Sequence, residues 1–391
     1  MLLAFVMFGA NTRFAFADEG DFFRPYVGLT QGYDSNLRRF NKKDSALAAT
    51  GSKETSDTFL IKKVGIILDK EISLQKFYVD ISGDQTSYNR NSGLDNDGKK
   101  AIARWNWHIG SHLEGNLERY HKEAMVPFAD FRGLGLNVQT EDRKSFDTIW
   151  RFHPSWQMRG AISEYESQYS SVSQRTANLD ETAQELGIDY LSPSSSTIGL
   201  QLRHARGDRP EQQRVGLLLI DNSYDQNELK AKVDWVYSGK TRLQFLGGEV
   251  ERKHDEFSER DFKGFNARLN TLWQATGKTS FNLSTWREIN GQSYVTSSYT
   301  LSKGSSIGAS WDATSKVSLQ SNIRYETVDF EGDSINSTRT DKNRYYSLAL
   351  VYKPILGLVL NASVNRSLRD STIPSLGYVS NGAILSAQYE F

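Results

Sequence analysis

The sequence predicts an all-β protein, a transmembrane antiparallel up-and-down β-barrel of about eighteen strands, with sixteen as the alternative count. Three observations predict it. The chain breaks into segments of about ten alternating residues. The connections between them alternate short and long. The last segment sets Ala383, Leu385, Ala387, Tyr389 and Phe391 against Gly382, Ile384, Ser386, Gln388 and Glu390, so one face is apolar and the chain finishes on Phe.

Composition narrows the class by exclusion. A chain of 391 residues can hold two ordinary domains or one large barrel. Lys plus Arg number 47 and Asp plus Glu 47, which leaves no basic field for nucleic acid, and no nucleic-acid partner is expected. The absence of cysteine removes disulfides and thiolate sites and suits an exported envelope protein. Mean hydropathy is negative, and no apolar run approaches the roughly 18 residues of a membrane helix. A membrane strand shows lipid only alternate residues and averages to a polar segment, so periodicity arbitrates.

Residues Met1 to Ala17 read as a secretory signal peptide, with an apolar stretch from Leu2 to Phe8 and Ala15-Phe16-Ala17 as the cleavage site, although no Lys or Arg precedes the apolar part. The barrel then occupies 18–391. Its short connections are Asp69 to Ser73, Gly110 to His112, His153 to Ser155, Ser192 to Ser196, Ser238 to Lys240, Thr276 to Lys278, Asp312 to Ser315 and Lys353-Pro354. Its long ones include Asp34 to Ser56, Asp84 to Gly98, Lys122 to Asp142, Ser167 to Thr182, Gly207 to Asn222 and Thr327 to Asp341. Short turns facing the periplasm and long loops facing outside give this alternation, and an even strand count leaves both termini periplasmic.

An internal repeat fixes the depth of the turns. Trp235-Val-Tyr-Ser-Gly-Lys-Thr241, Trp273-Gln-Ala-Thr-Gly-Lys-Thr279 and Trp311-Asp-Ala-Thr-Ser-Lys316 recur every 38 residues, one hairpin and its loop. Trp107, Phe152, Tyr190 and Tyr352 precede other short turns, and Leu68 breaks the pattern. The set reads as an aromatic girdle at the periplasmic interface.

Alternation sorts side chains between lipid and lumen. Ala103, Trp105, Trp107 and Ile109 facing out place Arg104, Asn106 and His108 inside. Ala231, Val233 and Trp235 place Lys230, Lys232 and Asp234 inside, and Ala267, Leu269 and Trp273 place Arg268 and Asn270 there. Val317, Leu319, Ile323 and Tyr325 imply inward Gln320, Asn322, Arg324 and Glu326. A lipid-facing charge near the midplane costs roughly 2–4 kcal/mol, so their common face supports the register. Such charges either brace the wall by pairing between strands or touch a translocated glycan, and pairing is the commoner use.

Enzymatic and metal signals are weak, and no cofactor, metal or catalytic residue is expected. The Gly-Lys-Thr triplets at Gly239 and Gly277 lack the earlier glycine of a phosphate loop, having Asp234 and Leu272 there, and read as turns. His108 and His112 lie four apart without the following Glu of a zinc hydrolase. His204 or His254 near a strand serine would be needed for a barrel lipid hydrolase, and no nucleophile-elbow sequence accompanies them. Asp95-Asn96-Asp97 lacks the rest of a calcium loop.

The chain resembles the EpsL-type outer-membrane proteins of exopolysaccharide (methanolan-like) biosynthesis operons, within the β-barrel porin group. The resemblance rests on Phe23-Arg-Pro-Tyr-Val-Gly28, Gly32-Tyr-Asp-Ser-Asn36, Arg260-Asp-Phe-Lys-Gly264 leading to Trp273 and Thr276-Gly-Lys-Thr279, and Tyr352-Lys-Pro354. It implies a bacterial outer-membrane location and a part in exopolysaccharide export, as conduit or scaffold. The partners it implies are exopolysaccharide and periplasmic co-polymerase or export proteins, beside outer-membrane lipid. It also implies that Tyr389 and Phe391 are an assembly signal for the barrel-assembly machinery. A general or solute-selective diffusion porin is the alternative, and would show an inward-folded constriction loop with opposed charges; an outer-membrane lipid hydrolase is third.

Overall fold

The computed structural model describes residues 22–215, 217–256, 258–290, 299–331 and 339–391. The expected signal peptide lies outside the described residues. In chain order come β1 (Phe23–Asp34), β2 (Asp57–Ile72), β3 (Gln75–Tyr88), β4 (Asn96–Ile109), β5 (Leu113–Met125), β6 (Val138–His153), β7 (Trp156–Tyr169), β8 (Leu179–Leu191) and β9 (Thr197–Asp208). A short hairpin, β10 (Gln213–Val215) and β11 (Leu218–Ile220), stands apart from the sheet. Then follow β12 (Tyr224–Ser238), β13 (Thr241–His254), β14 (Phe262–Gln274), β15 (Thr279–Asn290), β16 (Tyr299–Asp312), β17 (Val317–Glu331), β18 (Arg339–Tyr352), β19 (Leu358–Ser371) and β20 (Tyr378–Glu390).

Eighteen of these strands form one antiparallel sheet in which each pairs with its chain neighbours, β9 with β12, and β1 with β20. The last pairing, from Tyr26↔Glu390 to Asp34↔Gly382, closes the barrel and removes both edges. Phe391 donates its N–H to the Pro25 carbonyl at 2.9 Å, so both ends of the barrel sit at the rim of the short turns.

The barrel strands run to 12–16 residues, more than the 9–11 or so needed to cross the bilayer at a tilt. The surplus lies on the long-loop side. There the outer face turns from apolar to charged, with Lys144–Glu164 at 2.8 Å, Arg206–Asp225 at 2.9 Å and Lys263–Glu249 at 3.0 Å. Below them the outer face is apolar down to an aromatic rim. Trp235, Trp273 and Trp311 are 47, 49 and 50 % exposed, one depth for the three copies of the repeat.

Three local expectations are corrected. The first turn is Ser73-Leu74 and not Asp69 to Ser73, because Asp69↔Tyr78 through Ile72↔Gln75 extend the ladder and Ser73 takes φ 56°. Leu68 is therefore not the pre-turn residue, and Phe77 stacked on Trp105 at 5.8 Å fills that part of the girdle. Trp107 shares the outer face but is 7 % exposed, because Phe146 stacks on its ring at 5.8 Å. Several long connections are also shorter than expected: the strands continue through Tyr88, Met125 and Tyr169 before turning.

The wall has one irregular joint. The β14–β15 ladder is the shortest of the barrel, with eight pairs from Ala267↔Arg287 to Gln274↔Ser280. Above it, Ile289, Tyr299 and Leu301 pack on Val250 and Phe262, with Phe262 and Tyr299 rings edge to face at 5.4 Å. By alternation the first three belong to the lipid face and the last two to the lumen face. Both assignments hold only if the upper end of β15–β16 has moved to the lumen side of β13–β14. The Arg287 guanidinium donates to the Phe265 carbonyl beside the place where the ladder stops.

Candidate functional site

The lumen has two unlike walls. On β2–β14 the inward positions are rich in charge, and many of the charges are paired across the ladder. Arg203 donates to Glu181 at 2.7 Å and Glu228 at 3.0 Å and lies 3.3 Å from Glu185. Arg159 grips Asp189 at 2.6 and 3.0 Å, and Lys100 meets Asp80 at 3.2 Å.

The residues expected inward from the sequence fall on one common face in the register of the sheet, and most are engaged. Arg104 donates to Glu118 at 2.7 Å, Asn106 bonds Asn116, and His108 lies 3.1 Å from Glu114 across its turn. Lys230 pairs with Glu228, Asp234 accepts from Arg242 at 2.6 Å, and Arg268 reaches Glu288 at 2.6 Å. Asn270 accepts from the Ser284 hydroxyl at 2.7 Å, and Arg324 donates to Glu326 at 2.8 Å. Lys232 makes no ion pair among the described residues; Gly199 and Leu246 are its neighbours across the ladders. Gln320 and Asn322 make no side-chain hydrogen bond there.

That last pair belongs to the second wall, on β15–β20. Residues Asn282, Gly308, Asn322, Ser347, Asn365 and Gly382 occupy successive paired positions, a row crossing six strands. The row below it reads Ser280, Ser310, Gln320, Ala349, Ser363 and Ile384. Neither row holds a charge. Sequence reading found Gln320 and Asn322 but not the row, because the upper row joins residues 14 to 26 positions apart and needs the register.

Above this wall an external loop folds in. Residues Val126 to Asn137 connect β5 to β6, and the loop is anchored by Val126 against Tyr169 and Ala177 and by Phe128 against Leu37 and Leu94. Its tip then reaches β19 and β20 over the intervening strands. Arg369, inward on β19, donates to the Ala129 carbonyl at 2.7 Å. Arg132 donates to the carbonyls of Ser375 at 2.6 Å and Leu376 at 2.5 Å and lies 5.5 Å from the Tyr378 ring centroid. From the first loop, Arg38 donates to the Leu134 carbonyl at 2.7 Å and stands over Phe128 at 5.1 Å. Desolvation in that contact lowers the Arg38 pKa, with Asp57 opposing, and the group stays charged. Burial raises the pKa of Asp130 in the loop, with the charge of Arg369 opposing and that of Glu326 adding to it.

Residues 223–391 match the family described as "Putative beta-barrel porin 2". The fold is similar to the outer membrane protein OpdK of Pseudomonas aeruginosa, with a TM-score of 0.51 at 12% identity over 94% of this chain and 99% of that one. OccK2 (OpdF) of the same organism gives 0.51 at 10% identity, over 96% and 99%. OpdK solved with vanillate gives 0.51 at 12% identity, over 96% and 100%. No curated protein matches the chain. The chain is a porin-like β-barrel of the bacterial outer membrane.

In this porin-like barrel the other chemical candidates do not assemble. The ring of His204 meets Asn227 at 2.9 Å on the outer face, and among the described residues neither it nor His254 bonds a serine hydroxyl. Gly239 and Gly277 sit in open hairpin turns. Asp95 accepts from the Tyr88 N–H at 2.7 Å and Asn96 donates to the Leu94 carbonyl at 2.8 Å, so the Asp95–Asp97 stretch caps its own turn.

Proposed function

We propose that the protein is a diffusion pore for small polar solutes, with the inward-folded loop Val126 to Asn137 as its constriction. The observation that carries this reading is that loop's attachment to the far wall through Arg369 and Arg132. A polar lumen walled by paired charges is stiff, wet and free of a single tight site, which suits passage better than retention. An organic anion such as the vanillate held by OpdK would meet arginines here that already hold carboxylates. The test is single-channel recording of the purified protein in planar bilayers. Steps of stable KCl conductance that enlarge when residues 129–134 are shortened support the pore; a silent bilayer with correctly folded protein refutes it.

A second reading is passage of an exopolysaccharide, as the resemblance in the sequence implies. The two uncharged rows of β15–β20 favour it, because hydroxyl and amide groups can be exchanged along a sugar chain in small steps. The loop would then have to swing aside. A clean deletion strain separates the two: loss of surface polymer with periplasmic accumulation supports this reading, whereas unchanged polymer with reduced solute uptake supports the first.

A further inference from the structure

We propose that the solutes this pore takes are uncharged and polyhydroxylated, sugars above all, and that the amide and hydroxyl row of β15–β20 is their track; this rests on the pore reading. Polar side chains in a wet lumen either spend their hydrogen-bonding capacity on one another or keep it for what passes. The two walls differ in this respect. Arg159, Arg203 and Arg268 spend theirs on Asp189, on Glu181, Glu185 and Glu228, and on Glu288. An anion would have to displace those carboxylates, and a cation those guanidinium groups.

The opposite row keeps its capacity. Asn282, Asn322, Ser347 and Asn365 make no side-chain hydrogen bond among the described residues. The Asn282 Oδ1 has no partner but lies out of solvent reach, so a solute takes it up only as the side chain turns toward the lumen. Each amide offers two donors and an acceptor, and each hydroxyl a donor and an acceptor, which is what a sugar hydroxyl needs to pair both ways. Gly308 adds no side chain, so a ring can approach the wall there, whereas the Asn365 amide already lies over Gly382. Net hydrogen bonds of this kind are weak one by one, so a solute can step from one to the next.

The experiment uses the full protein in planar bilayers and in liposomes. KCl conductance reports the pore itself, and its absence would bring down the pore reading together with this inference. Given conductance, three results are expected. The anion-to-cation permeability ratio stays within about twofold of one, as paired charges require. Maltotriose enters liposomes faster than gluconate or glucosamine despite its greater size, and it blocks the KCl current reversibly. N322A, N365A and N282A each weaken that block by about threefold, the worth of one net hydrogen bond, while S321A on the lipid face does not. Folding of each variant is followed separately by its heat-modifiable mobility. A dextran arm tells a polymer from free sugar: block by both assigns the track to chains, block by maltotriose alone to small sugars. Faster entry of either charged solute, or a block that N322A, N365A and N282A all leave intact, overturns the inference.

Discussion

Arg132 donates to the carbonyl of Ser375 at 2.6 Å, although 243 positions of sequence separate them. That bond and its companion to Leu376 hold the third external loop over β19 and β20. Hydrogen bonds from a charged donor are worth about 1.5–3 kcal/mol each. R132A is therefore expected to free the loop and raise mean conductance with more frequent current fluctuation, at unchanged barrel stability. Bilayer recordings check this, and a quiet channel of unaltered size would contradict the loop's role.

Arg203 is the common partner of three carboxylates, Glu181, Glu185 and Glu228. This network is half-buried, so removing its cation costs less than the about 3–5 kcal/mol of a fully buried pair, and the charges left behind lose compensation. R203A should lower the urea midpoint for unfolding and make the pore cation-selective. The reversal potential in a KCl gradient reads the second effect.

Leu269 and Asn270 are adjacent on β14 and face opposite sides. L269R is expected to cost about 2–4 kcal/mol of stability in lipid, and N270R far less. Refolding into vesicles of the two variants measures the difference, and equal effects would contradict the register.

Asp255, in the loop after β13, accepts from Arg206 at 2.8 and 2.5 Å, and these hydrogen bonds hold its carboxyl below the ordinary carboxylate range. A lowered folded pKa gives stability that is present above the unfolded value of about 3.9 and lost as pH falls through the folded one. The loop should thus be protected at neutral pH and above the ordinary carboxylate pKa, and open only in more acid solution. Hydrogen exchange of residues 255–261 across acid pH checks the sign, and D255N should remove the dependence.

Phe262 anchors the displaced end of β15–β16 through Tyr299, Ile289 and Leu301. Truncating a buried Phe costs about 3–5 kcal/mol where the site cannot collapse. F262A is expected to raise proteolysis at β14–β15 while the rest of the barrel resists.

The parts of this fold that were legible in the sequence are those written in local alternation. Outward Trp235, Trp273 and Trp311 announce their faces because lipid tolerates few charges, and they sort Lys230, Asp234, Arg268 and Asn270 by parity. What stayed hidden is whatever depends on which strands meet at which height. The row from Asn282 to Gly382 exists only through the register. The inward course of the loop rests on Arg132 and Arg369, ordinary polar-segment residues whose distant partners are backbone carbonyls that any sequence supplies. Parity in the register of β15 and β16 puts Ile289 and Leu301 on the lipid side, and the end of the β14–β15 ladder reverses what that parity means.

That short ladder also bears on the mechanics of the wall. A hoop deforms at its weakest joint, and around most of this one the staves are locked along nearly their full length by paired backbone groups. Between β14 and β15 the upper third is held instead by an apolar overlap and two guanidinium groups, Arg287 on the Phe265 carbonyl and Arg268 on Glu288, contacts that can slide. Squeezing or stretching of the surrounding bilayer would thus concentrate its strain at this joint, and the cross-section would change from round toward oval along an axis the sequence has already chosen.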